Sequence, residues 1–174
     1  MRYGISLVIL LSVVLCCAFS GKPGLKISSN AFKHNGYMPV KYSCEGDNVS
    51  PALHIDNLPG GTESLAIIMH DPDADRIGGF THWVIWNIDP VTDLPAQFTG
   101  GIPGKNSGDK SGYTGMCPPT GTHHYHFRVY ALDRRLDLPA NLADKAALEK
   151  AMTGHILAEG LLTGLYKKTN PVKE

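Results

Sequence analysis

SLAIIMH, residues 64–70, is an apolar run of strand length with no helical periodicity, bounded by Pro59-Gly60-Gly61 on one side and Asp71-Pro72 on the other. Uninterrupted apolar character over so short a run is expected of a central strand buried on both faces. Thr81–Ile88 (THWVIWNI) and His124–Leu132 (HYHFRVYAL) are rich in aromatic and β-branched residues and are expected to be strands as well. Shorter strands are expected at Leu25–Ser28, Val40–Ser43, Leu53–Asp56 and Leu162–Tyr166. Frequent, scattered Gly and Pro break the chain into short pieces, which favours β structure.

Helix is expected only late. Asp144 can cap a segment in which Leu148 and Met152 share a face, with Gly154 as the stop, and one or two further helical turns are expected from His155 to Glu159. Strands first and helices last predict a mainly β domain of antiparallel sheets with short C-terminal helices. The glycine-rich stretch from Pro95 to Pro119 lacks aliphatic periodicity and is expected to be a flexible loop over a pocket mouth.

The chain has 174 residues, enough for one domain with a real core. Sixteen Lys plus Arg balance sixteen Asp plus Glu, so no net field draws it to nucleic acid or to an anionic membrane. Residues 1–20 differ from the rest: Arg2 is followed by a largely apolar run to Cys17, and Ala18-Phe19-Ser20 offers small residues for cleavage. This pattern predicts a signal peptide over residues 1–20, a single domain over 21–174, no permanent transmembrane anchor and a periplasmic or secreted location. Lipoprotein processing at Cys16 or Cys17 is the rival, opposed by Leu15 and Cys16 at the preceding positions. After cleavage after Ser20, Cys44 and Cys117 remain, an even pair expected to bridge in an oxidising compartment, the alternative being two buried thiols.

Polar groups concentrate at two strand ends. The first is His70-Asp71-Pro72-Asp73-Ala74-Asp75, followed by His82, which strict alternation places on the face of Val84 and Trp86. The second, CPPTGTHHYHF at 117–127, delivers a chain in which His123, Tyr125 and Phe127 share one face and His124, His126 and Arg128 the other. Were the two segments to meet, they would form a concave site of carboxylates, imidazoles and a phenol, suited to a small ligand.

With D-P-D-A at 71–74, T-H-W-V at 81–84, P-P-T-G-T-H-H-Y-H-F at 118–127 and G-H-I-L-A-E-G-L-L-T-G at 154–164, the chain resembles the phosphatidylethanolamine-binding protein family, in its bacterial Raf kinase inhibitor-like branch. The resemblance implies two antiparallel sheets with terminal helices and a pocket for phosphate-like anions or phospholipid head groups. It implies Asp71, Asp73, His82, Pro119, His123 and Tyr125 as the pocket residues. His124 stands where many members carry Arg, and Asp75 where Pro is usual.

The function expected is that of an exported, non-enzymatic binding protein without a cofactor, in which Asp71 and Asp73 raise the pKa of His82 or His123 and orient them toward an anion, helped by backbone N–H groups of Thr120–Thr122. Three alternatives stay open. The same His/Asp set resembles a zinc ligand set, although no compact metal motif occurs. A hydrolase would need a nucleophile, and Ser107 on its glycine-rich loop has no evident base. A protein partner is the third, since the branch is named for kinase inhibition.

Overall fold

The computed structural model describes residues 24–140 and 143–169. The signal peptide expected at 1–20, with Cys16 and Cys17, lies outside the described residues. Nine strands and one α-helix follow in the order β1 (Lys26–Ser28), β2 (Gly36–Tyr37), β3 (Leu53–Asp56), β4 (Ser64–Asp71), β5 (Phe80–Ile88), β6 (Asp93–Leu94), β7 (Ile102–Pro103), β8 (His123–Leu132), α1 (Lys145–Met152) and β9 (Ile156–Tyr166). They form two sheets, as expected. The smaller is ordered β1-β3-β6 and the larger β2-β9-β8-β4-β5-β7.

Pairing is antiparallel throughout except at the edge of the larger sheet, where β2 runs parallel to β9. β4 lies at the centre of the larger sheet between β5 and β8. Both of its faces are covered. Leu65, Ile67 and Met69 join Trp83, Ile85, Tyr125, Phe127 and Val129 in the core shared with the smaller sheet, which adds Ile27, Leu53, Ile55 and Leu94. Ala66 and Ile68 join Val84, Trp86, Tyr130 and Leu132 on the opposite face, under Leu148 and Met152 of α1. The continuous apolar run at 64–69 is the consequence of those two covered faces.

α1 forms where the sequence predicts. The Asp144 carboxylate accepts from the Ala147 N–H at 2.8 Å, and Gly154, with φ of 83°, ends the helical path. The further helical turns expected at His155–Glu159 are not there. The segment belongs to β9, the longest strand, which pairs with β8 from Leu132↔Ile156 to His123↔Tyr166. Ala158, Leu162 and Tyr166 repeat at even spacing into the core, so the period is two, and cross-strand pairing decides the conformation. A single described helix therefore stands before the last strand, where short helices were expected to end the chain. Val40–Tyr42, expected as strand, is one turn of 3-10 helix from which Tyr42 is buried.

The 95–119 segment is also unlike the expected loose cover. Gly104, Ser107 and Thr114 donate backbone N–H groups to the Val84, Thr81 and His82 carbonyls at 2.8, 2.9 and 3.0 Å, so the chain is laced along β5. Cys44 and Cys117 are bridged, with Cα atoms 5.5 Å apart, and fasten the end of this segment to the 40–48 region. A Cβ on Gly115 would meet the Tyr42 carbonyl oxygen at 2.6 Å, so only glycine permits that approach.

Candidate functional site

Sheet register brings the two polar strand ends together. His70 pairs with His126, which places Asp71, the last residue of β4, level with Tyr125. On the other side, one step along β4 from Met69 to His70 matches two steps along β5 from Trp83 to Thr81. His82 is thus the extra residue of a β-bulge. A bulge breaks alternation and re-aims a side chain. His82 accordingly leaves the face of Val84 and Trp86, where strict alternation put it, and its ring meets Tyr125 edge-on with centroids 5.3 Å apart.

Asp71, His82 and His123 line a cavity of about 260 Å³ together with Pro118, Pro119, Cys117, Thr114, Gly115, Phe80 and the Ala74–Arg76 turn. Asp71, His82 and His123 are only 2%, 5% and 8% exposed. Both oxygens of the Asp71 carboxylate are hydrogen-bonded: one accepts the Asp73 N–H at 2.8 Å, the other Nδ1–H of His123 at 2.8 Å. His82 is fixed by Nδ1, which donates to the Thr114 carbonyl at 2.9 Å. Both imidazoles are therefore oriented by hydrogen bonds at Nδ1.

Four of the six residues expected to form the pocket, Asp71, His82, Pro119 and His123, line one cavity. Asp73 does not line it. Its carboxylate turns to the rim and accepts from the backbone N–H and Nδ1 of His124, both at 2.7 Å. Desolvation opposes ionisation of Asp73, but the His124 hydrogen bonds outweigh it and hold the carboxyl below its usual range. Tyr125 lies beneath the two imidazoles, its ring nearly parallel to that of His123 and wholly buried. Burial, reinforced by the Asp71 carboxylate, keeps its phenol protonated, yet its hydroxyl lacks a hydrogen bond of normal geometry.

The electrostatic expectation for His82 is reversed. Burial pushes its pKa down, and the favourable Thr114 and Asp71 contributions do not restore it, so the ring is neutral at pH 7. Thr120–Thr122 are not among the lining residues. The cation that sequence reasoning missed is Arg76. It sits over the Phe80 ring at 5.6 Å, with a 3.3 Å hydrogen bond to the Ser107 carbonyl. Its nearness to the D-P-D turn was the available signal. Gly79, with φ of 70°, closes this turn where a Cβ would strike the Asp71 carbonyl oxygen at 2.3 Å.

A larger groove of about 520 Å³ on the α1 side is lined by Lys105, Lys145, Asp109 and Asp144. Its charges balance and no imidazole enters it, so the smaller cavity is the better candidate. Among the described residues no group of three or more His, Cys, Asp or Glu side chains is arranged to hold a metal ion. Ser107 Oγ accepts the Thr81 N–H at 2.9 Å, which is a structural role.

A family model described as phosphatidylethanolamine-binding protein matches residues 28–167. Among relatives, a UPF0098 protein of Pyrococcus horikoshii is 46% identical over 162 residues, covering 84% of this chain and 78% of its own. One from Methanothermobacter thermautotrophicus is 43% identical over 152 residues, covering 83% and 99%. Among solved structures, a putative phosphatidylethanolamine-binding protein homologue from Chlamydia trachomatis superposes with a TM-score of 0.80 at 35% identity, covering 83% of this chain and 98% of that one. Escherichia coli YbcL, described as a new member of the mammalian family, gives 0.77 at 30% identity, covering 84% and 100%.

Proposed function

Because the chain belongs to the phosphatidylethanolamine-binding protein family, we propose that the cavity at Asp71, His82 and His123 is a binding site for a small phosphate-type oxyanion, free or as a phospholipid head group, in a protein exported from the cytoplasm. The observation that carries the reading is the convergence of two nearly buried imidazoles, each oriented at Nδ1, on one small cavity with Arg76 at its rim. The nearby carboxylate does not repel an anion outright. Both Asp71 oxygens accept from N–H donors, so its charge is partly compensated where it lines the cavity. Export is supported by the composition of residues 1–20 and by the Cys44–Cys117 bridge, a bond suited to oxidising compartments.

In this reading the site acts by binding. Calorimetric titration with inorganic phosphate tests the reading on wild type and on Asp71→Asn. Saturable binding at one site, weakened about tenfold or more in the variant, is expected, because a neutral amide holds the His123 Nδ1–H less firmly than the carboxylate does. Heat that does not saturate in the wild type would remove the proposal.

A further inference from the structure

The core between the two sheets is not closed everywhere. Beside β5 and β7 it opens into a cavity of about 310 Å³, walled by Trp83 and Ile85 of β5, by Val49 and Ser50, and by Phe98 and Tyr113. None of its lining residues belongs to the cavity at Asp71, His82 and His123. Its walls are mainly aromatic and aliphatic, and no Lys, Arg, His, Asp or Glu side chain lines it. Gln97 and Phe98 both donate backbone N–H groups to Ser50, one to the carbonyl at 3.0 Å and the other to the hydroxyl at 3.2 Å. Two opposite walls are thereby fastened together, so the space is preformed and of a size that takes a small molecule.

Two donors are left over in this apolar setting. Trp83 is only 2% exposed, yet its indole N–H meets no acceptor among the described residues. The Trp86 N–H is also without an acceptor, but it is sealed inside the core on the opposite face of the sheet. That of Trp83 is not sealed, and the surface this residue keeps is cavity wall. Ser50, likewise 2% exposed, accepts the Phe98 N–H, but its own hydroxyl hydrogen has no acceptor among the described residues. The Tyr113 phenol is already engaged. It donates to the Tyr42 carbonyl at 2.8 Å, and burial keeps it protonated.

The complement of such a wall follows from its chemistry. A buried donor without an acceptor is costly, and a carbonyl oxygen brings two lone pairs and no hydrogen of its own. A carboxylate brings the same lone pairs with a full charge, which no cation lining this cavity would offset. We propose that the cavity is a second ligand site, for a small uncharged aromatic carbonyl compound whose oxygen accepts from the Trp83 indole N–H and the Ser50 hydroxyl.

The chain has two tryptophans, so ¹⁵N-labelled protein gives two indole N–H signals, which Trp86→Phe assigns. The probes are acetophenone, α-methylstyrene, which carries CH₂ in place of the carbonyl oxygen, and benzoate. Acetophenone is expected to move the Trp83 indole proton downfield with saturation and to leave that of Trp86 in place. α-Methylstyrene should not move the Trp83 proton downfield, and benzoate should bind at least about tenfold more weakly than acetophenone. In Ser50→Ala acetophenone is expected to bind about fivefold more weakly while the affinity for α-methylstyrene is unchanged. The proposal is overturned if acetophenone gives no saturable shift at Trp83, if α-methylstyrene reproduces that shift, or if benzoate binds as tightly. The wild-type titration decides the matter even if the Ser50 variant does not fold, and its failure would leave the oxyanion reading untouched.

Discussion

Replacing both Cys44 and Cys117 by Ala removes a crosslink that spans 73 residues of sequence. By the chain-entropy estimate a closed loop of that length restricts the unfolded state by about 4 kcal/mol. The native side of the balance changes little. The Cys44 N–H still donates to the Met116 carbonyl at 3.0 Å, Ser43 still bridges to Met116, and Met116 is fully buried. Hence the loss comes chiefly from the greater freedom of the unfolded chain. For a domain of this size each kcal/mol moves Tm by about 2–4 °C, so the variant is expected to melt about 8–16 °C below the oxidised wild type. Circular dichroism melts of oxidised wild type, reduced wild type and the double variant measure it. The reduced protein and the variant should melt together. A fall of less than about 3 °C would refute the argument, because it would mean that the bridge strains the native state by as much as it restricts the unfolded one.

Stability is expected to decline as pH falls below the ordinary imidazole value of 6.5, since burial holds His82, His70 and His126 below it, and the unfolded chain then binds more protons than the folded one. Denaturant melts between pH 5 and 8 should show this, with a shallower slope in His82→Gln; a maximum near pH 5 would contradict it. His54, whose pKa is raised by Asp93 and Asp56, works in the opposite sense but at the surface, where screening leaves it little weight. Tyr125→Phe removes a buried hydroxyl without a good partner, so equilibrium unfolding should place it within about 1 kcal/mol of wild type or above it; a loss of 2 kcal/mol or more would reveal a hidden hydrogen bond. Gly79→Ala combines a positive φ with a Cβ driven into the Asp71 carbonyl, and is expected to destabilise by more than about 1 kcal/mol and to weaken phosphate binding.

The parts of this fold that were legible in the sequence are those governed by local pattern. The apolar run at 64–69 announced a central strand, and Asp144 with Leu148 and Met152 announced α1. β9 was misread because His155–Glu159 contains good helix formers, and only the long antiparallel pairing with β8 overrides them. At the site, the residues on β4 and β8 were found because alternation holds there. His82 was found by type and misplaced by face, because a bulge has no signature in the alternation rule that it breaks. Its protonation was misjudged for a related reason. Burial that depends on three strands and the Thr114 segment is invisible to a reading that knows only which acids stand nearby. Asp73 was placed in the pocket by the family resemblance, and in the structure its carboxylate is hydrogen-bonded to His124.

The central claim is that His82 and His123 hold one oxyanion between them. A crystal of the protein soaked in inorganic phosphate tests it most directly. The account predicts tetrahedral density in the cavity within hydrogen-bond distance of Nε2 of both rings. An empty cavity, with phosphate ordered elsewhere on the surface, would contradict it.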